Sequence, residues 1–256
     1  MHLVDTHNHI YLPEFDADRD EVMTRAAAAG VIRVLLPAID SSSYSVMMEA
    51  AERYSTLCCP MIGLHPTSVK ENYISELDFV NEKISGNTFY GIGETGIDLY
   101  WDKTFLKEQI VSFREHLSLA EKYNLPVVIH ARESLQLIFE EIEKFGTGKV
   151  TGVFHAFPGN GTDALKAVRL GFKIGIGGVV TFRKSITGEA AIAAGLENLV
   201  LETDAPYLTP APFRGKRNES SYLINIVSKL AELLSTDNEE IASVTTANAT
   251  YLFKLN

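Results

Sequence analysis

Six side chains that bind metal ions stand directly after short apolar runs of this chain. Two of them belong to Asp5-Thr-His-Asn-His, where histidines two residues apart on an extended segment point to the same side and can hold one cation. If each apolar run is a strand of one parallel barrel, the carboxyl ends of the strands bring the side chains together. The six residues are His7, His9, Glu94, His130, His155 and Asp204. Mixed imidazole and carboxylate ligands indicate a hydrolytic site for two divalent ions, and they suit Mg, Mn or Zn.

The six ligands divide between two ions, with one carboxylate shared. A carboxylate placed centrally can bridge two cations, because it offers one oxygen to each. The predicted division assigns His7, His9 and Asp204 to one ion, His130 and His155 to the other, and Glu94 to both.

Two ions about 3.5 to 4 Å apart can generate hydroxide and stabilise the leaving oxygen of a phosphodiester. Asp204 is the predicted catalytic group that orients or deprotonates the attacking water, with Glu94 beside it. His65, in Gly63-Leu-His-Pro, is predicted to add a hydrogen bond or a proton.

Three further carboxylates lie close to the ligands in sequence, namely Asp5, Asp98 and Glu202. Histidines that bind metal usually donate their second N–H to a carboxylate or a carbonyl. We therefore expect these three to orient the ligands, with helix capping or solvation as the alternative.

Basic residues also gather near the ends of the predicted strands, which suits phosphate groups that lie across a barrel mouth. Those predicted to bind substrate are Arg132, Arg214, Lys216 and Arg217. Two aromatic residues, Tyr100 and Trp101, follow the fourth strand, where stacking on a base and ordinary packing are equally compatible with the sequence.

The segment Gly91-Ile-Gly-Glu-Thr-Gly also matches a dinucleotide-binding pattern. That pattern requires a helix to begin at once, so that its N-terminus faces a pyrophosphate. Here Gly96 leads into Ile-Asp-Leu-Tyr-Trp, and Glu94 would repel an anion. The segment is therefore interpreted as a strand that carries a ligand.

Short apolar segments alternate with longer stretches of helical period along the chain, which predicts βα units around a parallel sheet. Most predicted helices end at Gly, Asn or Pro, as helix C-termini prefer. The predicted helices are Arg19 to Ala29, Tyr44 to Tyr54, Ile74 to Ile84, Lys103 to Tyr123, Leu135 to Phe145, Asp163 to Leu170, Ser220 to Leu234 and Asn238 to Phe253. Residues 1–256 are thus expected to form one α/β domain, a (β/α)8 TIM-like barrel closed by two C-terminal helices. The predicted strands are Leu3 to Thr6, Ile32 to Pro37, Leu57 to Gly63, Phe89 to Gly93, Val127 to Ile129, Val150 to Phe154, Phe172 to Ile176 and Leu199 to Glu202.

The 256 residues carry 23 basic and 33 acidic side chains, a net charge of −10, which disfavours broad adhesion to duplex DNA or anionic membranes. No apolar run spans a bilayer, and the start of the chain has no signal-peptide pattern. With two adjacent cysteines that cannot bridge without strain, we expect a soluble cytoplasmic protein. No feature indicates an obligate protein partner.

These motifs together resemble the TatD family of metal-dependent deoxyribonucleases, within the amidohydrolase superfamily. The resemblance spans the chain through Asp5-Thr-His-Asn-His, Gly63-Leu-His-Pro, Gly91-Ile-Gly-Glu-Thr-Gly-Ile-Asp, Pro126-Val-Val-Ile-His-Ala-Arg, Phe154-His-Ala-Phe-Pro-Gly and Glu202-Thr-Asp-Ala-Pro-Tyr-Leu through Arg214-Gly-Lys-Arg-Asn. It implies a TIM-like barrel, divalent metals and 3′-to-5′ exonuclease activity on single-stranded DNA.

The chain departs from the family pattern at a few positions. Asn8 replaces a cysteine often seen between the two histidines, and Ser220 stands where proline is common. Ala156 and Pro158 replace a cysteine and a serine after the His155 position. None of these changes removes a predicted ligand.

Two other functions remain open. One is an amidohydrolase of another substrate class, such as a lactonase, a phosphotriesterase or a cyclic amidase. Many such enzymes bridge their metals with a carboxylated lysine, whereas this chain offers Glu94, which favours the nuclease. The second is a binding scaffold without catalysis, against which the intact ligand set argues.

Overall fold

Strands and helices alternate throughout the computed structural model, which describes residues 1–255. The strands are β1 (Leu3–Asp5), β2 (Val31–Leu36), β3 (Cys58–Pro60), β4 (Ile92–Asp98), β5 (Val127–Arg132), β6 (Gly152–Phe154), β7 (Phe172–Ile176) and β8 (Leu199–Leu201). The helices are α1 (Arg19–Ala28), α2 (Ser41–Arg53), α3 (Tyr73–Gly86), α4 (Leu106–Tyr123), α5 (Leu135–Phe145), α6 (Gly161–Arg169), α7 (Thr187–Ala194), α8 (Leu223–Leu234) and α9 (Asn238–Phe253). This order confirms the predicted (β/α)8 TIM-like barrel.

Parallel pairing arranges the strands in two blocks, β1-β2-β3 and β4-β5-β6-β7-β8. A bridge between Ile62 and Ile92 joins β3 to β4, and a bridge between Asn8 and Ala205 joins β8 to β1. We call these joins the β3–β4 seam and the β8–β1 seam. They close the barrel with shorter ladders than those inside either block.

The barrel interior is a separate apolar layer from the one beneath the surrounding helices. Successive residues of a strand face opposite sides, so one set packs against the helices and the other set fills the barrel. The C-terminal end of α9 and Leu255, two residues beyond it, pack against this inner set and cover one end of the barrel. The inner cluster contains Val4, Leu35, Cys59, Met61, Val128, Val153, Val200, Ala249, Leu252, Phe253 and Leu255.

Some boundaries differ from those that the sequence predicts. β4 begins at Ile92 and runs through Asp98, and β5 continues to Arg132, so Glu94 and His130 lie within strands rather than after them. Both strands continue because their pairing persists past the apolar run, and Gly96 permits it. Its φ is +141°, and a Cβ there would clash with the His130 carbonyl oxygen.

Most helix boundaries also differ from the predicted ones by one to three residues, and α2, α4 and α8 each begin three residues away from the predicted start. α7 was not among the predicted helices, because its sequence of small residues has no clear helical period. α8 begins at Leu223, after a 3₁₀ turn over Ser220–Tyr222, rather than at Ser220. Within residues 1–255, no helix is both long and apolar enough to cross a membrane.

Candidate metal centre

Strand alternation directs the candidate ligands of β5 and β6 into the barrel. Val128 and Val153 belong to the inner apolar layer. His130 and His155 stand two residues further on, so they point inward directly above this layer. Glu202 extends the inner face of β8 in the same way. The polar centre thus lies directly above the packed apolar layer that fills the barrel.

Glu94 lies between two pairs of imidazoles and is buried. Its Oε2 is 3.0 Å from His7 Nε2 and 3.9 Å from His9 Nε2. Its Oε1 is 3.1 Å from His130 Nδ1 and 3.5 Å from His65 Nε2. Each carboxylate oxygen therefore faces a different pair, as a bridging ligand requires.

Glu94 also stays ionised in this setting. Burial alone would raise the pKa of its carboxyl, but the imidazoles of His7 and His65 outweigh burial and lower that pKa well below its usual range. A carboxylate, rather than a carboxylic acid, thus faces both groups.

Asp204 lies on the opposite side of the centre, with its side chain 15% exposed to the cleft. Its Oδ1 is 3.5 Å from His9 Nε2, 3.7 Å from His155 Nε2 and 3.8 Å from His7 Nε2. Asp204 has a φ of +56°, in the left-handed region that aspartate tolerates better than most residues. Its backbone N–H donates to the His7 carbonyl oxygen at 2.9 Å, which holds this turn against the end of β1.

The six predicted ligands therefore lie together, but their grouping differs from the predicted one. His155 lies with His7 and Asp204, and its ring stacks on that of His7 with centroids 3.5 Å apart. His65 lies with Glu94 and His130 instead. Sequence order could not reveal this, because the distances between strand ends depend on the closed barrel.

Hydrogen bonds to the ring of His65 distinguish it from the ligands. Its Nδ1 accepts from the Thr67 backbone N–H at 3.1 Å, so neutral His65 carries its proton on Nε2. That proton faces Glu94 Oε1. Burial lowers the pKa of His65, which favours the neutral ring with its Nε2–H directed at Glu94.

Asp98 and Glu202 lie beside the rings of two candidate ligands. Asp98 Oδ2 accepts from His130 Nε2 at 2.8 Å, which leaves His130 Nδ1 facing Glu94. Burial alone would raise the pKa of Asp98, but the His130 hydrogen bond outweighs it and the pKa falls to about 2. Glu202 Oε1 lies 3.1 Å from His155 Nδ1, on the far side of that ring from Asp204.

Asp5 supports the ligands through the backbone and not through a ring, which corrects the role predicted for it. Its carboxylate accepts from the Thr203 backbone N–H at 2.9 Å and from the Thr203 hydroxyl at 2.7 Å. It also accepts from Asn8 Nδ2 at 3.1 Å and from Ser220 Oγ at 2.6 Å. Asn8 Nδ2 lies 2.9 Å from Ser220 Oγ, so two of the departures from the family pattern contact each other. We call Asp5, Asn8, Thr203 and Ser220 the seam network, because it spans the β8–β1 seam.

Tyr11 is a functional residue that the sequence analysis missed. Its hydroxyl donates to the Pro37 carbonyl oxygen at 2.6 Å, so it accepts from His9 Nδ1, which lies 2.9 Å away. His9 is thereby held with the Nε2 lone pair toward Glu94 and Asp204. The signal was present, since Tyr11 extends the alternation of His7 and His9 by two residues.

The donor set fits divalent metal ions. His7 Nε2 and His9 Nε2 lie 3.2 Å apart and face the same carboxylates. Nitrogens that converge in this way can all direct lone pairs at one cation. Burial opposes a charge on His155, but Glu202 and Asp204 outweigh it and raise the pKa of that ring to about 10. A site that retains a proton so strongly also attracts a metal cation.

Of the four basic residues predicted to bind substrate, Arg132 lines the cleft of about 880 Å³ above the centre. Arg214, Lys216 and Arg217 do not border this cleft in the described part of the chain. Arg217 instead forms two hydrogen bonds of 2.7 Å with Asp18, so the protein itself neutralises this guanidinium. The sequence does not indicate this pair, because Asp18 is about 200 residues away along the chain.

Comparisons with known proteins agree with this geometry. The family described as TatD related DNase matches residues 4–254. The metal-dependent hydrolase YabD of Bacillus subtilis is 35% identical over 255 residues, which cover 99% of this chain and 100% of YabD. The metal-dependent hydrolase YjjV of Escherichia coli is 31% identical over 255 residues, 98% of each chain.

Solved structures show the same relation. The crystal structure of E. coli YjjV, a TatD homologue, superposes with a TM-score of 0.93 at 30% identity and covers 99% of this chain and 98% of its own. A phosphotriesterase homology protein of E. coli, with phosphate in its active site, shares the fold at a TM-score of 0.71 and 14% identity, with 98% of each chain covered. The family match and the identity to YabD and YjjV therefore establish that this chain belongs to the TatD family of metal-dependent hydrolases.

Proposed function

We propose that this enzyme is a deoxyribonuclease that removes nucleotides from the 3′ end of single-stranded DNA. The observation that carries the proposal is the position of Glu94, whose two oxygens face two separate pairs of imidazoles at the bottom of an open cleft. The DNase description of the matching family points to the same chemistry. The cleft has a volume of about 880 Å³, and Arg132 and Lys184 line it.

The protein side chains have distinct roles in this reaction. Bound divalent ions supply a water of lowered pKa and positive charge opposite the phosphodiester. His7, His9, His130 and His155 would hold them, with Glu94 and Asp204 as the carboxylate ligands.

The remaining steps belong to groups that reach the cleft. The carboxylate of Asp204 is more exposed than that of Glu94. Asp204 is therefore placed to orient the attacking water and to take its proton. His65 presents an Nε2–H, which can donate a hydrogen bond to a phosphate oxygen or to a leaving oxygen. Arg132 neutralises a phosphate at the cleft rim.

A local basic rim is needed because the chain as a whole has a net charge of −10. Such a chain repels extended nucleic acid, so binding must rely on the cleft and on metal charge. The thiols of Cys58 and Cys59 are buried and free, which suits the reducing cytoplasm that we assign to this activity.

A 5′-labelled oligonucleotide incubated with the enzyme and Mg²⁺ or Mn²⁺ tests the proposal. We expect a ladder that shortens from the 3′ end, and EDTA should abolish it. Glu94→Ala should lower kcat/KM by about 100-fold or more, because it removes a group that faces both pairs of imidazoles. Glu82→Ala, which removes an exposed carboxylate of α3, is the matched control and should leave the rate unchanged.

Other outcomes would assign another function. Full-rate hydrolysis by Glu94→Ala would show that the bridging role is wrong. Hydrolysis of lactones or simple esters, with no nucleic acid cut under any metal, would favour the other amidohydrolase classes. A protein that binds metal and hydrolyses none of these substrates would be a scaffold.

A further inference from the structure

An aromatic pair follows β4 and remains open to solvent. Tyr100 is 50% exposed and Trp101 is 68% exposed, although both have large apolar rings. The two rings meet edge to face, with centroids 4.9 Å apart and planes at 85°. Rings exposed to this extent are not packed into the core, which argues against one of the two roles that the sequence left open.

A cation completes this arrangement. The guanidinium carbon of Arg132 lies 3.7 Å from the Tyr100 ring centroid and 5.2 Å from that of Trp101. We call Tyr100, Trp101 and Arg132 the aromatic platform. It combines flat π surfaces with a positive charge, and its guanidinium is close enough to both rings for cation–π attraction.

The aromatic platform and the candidate metal centre share one hydrogen-bonding residue, Asp98. Asp98 Oδ1 accepts from the backbone N–H groups of Tyr100 at 2.9 Å and Trp101 at 3.0 Å. The other oxygen of the same carboxylate accepts from His130 Nε2. One buried side chain therefore sets both the orientation of His130 and the path of the backbone under the two rings. Trp101 and Arg132 line the same cleft as His130.

The ligand that matches this platform has a planar ring beside a negative charge. A nucleobase with its phosphate has both, and stacking on an aromatic side chain is tolerant of base identity. A small aliphatic lactone or ester offers no aromatic ring to stack. The platform thus selects for single strands, because bases paired in a duplex do not present their faces.

We propose that the aromatic platform is the subsite for an unpaired nucleobase next to the phosphodiester under attack, with Trp101 stacking on the base and Arg132 contacting its phosphate. This inference rests on the proposed function for its DNA substrate. It adds that binding depends on a base at this position and not on the strand's charge alone.

Intrinsic fluorescence tests the subsite directly, because Trp101 is the only tryptophan among the 256 residues. The probe is a phosphorothioate-linked oligothymidylate that resists hydrolysis, added to the metal-loaded enzyme. We expect it to quench the tryptophan emission in a saturable manner. An oligomer of equal length and charge that has abasic sugars should bind more weakly and leave the emission nearly unchanged.

Kinetics with variants provide the second measurement. Trp101→Ala should raise KM for base-bearing strands by about 5- to 150-fold, which corresponds to the loss of one stacked base. It should leave the KM for abasic strands unchanged, and Trp101→Phe should recover most of the affinity. Tyr251→Ala removes another exposed ring, on α9, and serves as the matched control with wild-type KM.

The outcomes separate this inference from the proposed function. Hydrolysis of DNA with no quenching, or with the same KM for abasic and base-bearing strands, would overturn the subsite and leave the deoxyribonuclease in place. Base-dependent quenching without hydrolysis of any strand would support the subsite and overturn the deoxyribonuclease.

Discussion

At the scale of single residues, neighbouring oxygen atoms determine which ring nitrogen of each candidate histidine ligand faces the centre. Glu202 faces His155 Nδ1, so His155 Nε2 is left toward Asp204. Gly175 makes this possible, because a Cβ at that position would clash with the Glu202 carboxylate. The capacity of a histidine to bind metal is thus decided by its neighbour as much as by the histidine itself.

Glu202→Gln isolates this effect, since it keeps the shape of the side chain and removes the charge. We expect the affinity for Mn²⁺ or Zn²⁺ to fall by about 10- to 100-fold, because His155 loses the carboxylate that makes it a stronger donor. Competition with a chelator measures the affinity. Glu141→Gln is the control, because it neutralises a buried carboxylate of α5 that pairs with Arg114, away from the centre. If Glu202→Gln binds these metals with wild-type affinity, then Glu202 does not contribute to metal binding.

At the scale of elements, the seam network closes the narrow join between β8 and β1. Asp5, at the end of β1, is fully buried and accepts hydrogen bonds from the segment after β8 and from the turn before α8. Burial raises the pKa of Asp5, and hydrogen bonds from Ser220 and Thr203 offset part of that rise. The network thereby fixes the backbone that carries His7 and Asp204.

A double-mutant cycle between Asn8→Ala and Ser220→Ala tests whether the two departures from the family pattern act together. We expect a coupling energy of about 0.5–1.5 kcal/mol in urea unfolding, because each variant removes the partner of the other. The control cycle pairs Asn8→Ala with Ser228→Ala, whose hydroxyl binds the Ile224 carbonyl oxygen on α8. That cycle should be additive, and equal coupling in both cycles would refute a specific network.

At the scale of the whole molecule, ion pairs attach the long segment after β8 to α1. Arg25 makes hydrogen bonds of 2.9 Å and 2.6 Å with Glu219, whose side chain is 6% exposed. Arg217 and Asp18 form a second pair beside it. Arg217 of the basic cluster therefore pairs across the β8–β1 seam, whereas the sequence predicted that it binds substrate.

Arg25→Gln should destabilise the protein by roughly 1–3 kcal/mol at pH 7, because it leaves a buried carboxylate with fewer hydrogen bonds. Burial alone would raise the pKa of Glu219, but the Arg25 hydrogen bonds outweigh it and hold that pKa below the ordinary value of 4.5. The unfolded state then binds more protons in this range, so the pair stabilises the fold above about pH 4.5 and loses that effect as the pH falls.

Urea unfolding at pH 7 and near pH 3.5 measures this dependence. The difference in stability between wild type and Arg25→Gln should shrink at the lower pH. Arg53→Gln breaks a pair with Asp20 in which both side chains are more than half exposed, so it should change stability little at either pH. A difference for Arg25→Gln that grows on acidification would contradict the assignment.

The sequence predicted the barrel because strand periodicity and helix stops are local signals, and β7, α5 and α9 have the predicted bounds. It also predicted that the six candidate ligands lie together, since each stands in or near a strand end. It did not predict which ligands share a group, that β4 continues through Glu94, or that Arg217 pairs with Asp18. Those features depend on contacts between distant segments, which no local pattern encodes.

The candidate ligands come from both strand blocks and meet next to the two seams. The β1–β3 block contributes His7 and His9, and the β4–β8 block contributes Glu94 and Asp204, with His7 Nε2 3.0 Å from Glu94 and His9 Nε2 3.5 Å from Asp204. A cation held by these side chains would connect the two blocks at the joins where strand pairing is shortest. Ligands that bind only the folded state stabilise it, so we expect a chelator to loosen the barrel wall as well as to stop hydrolysis.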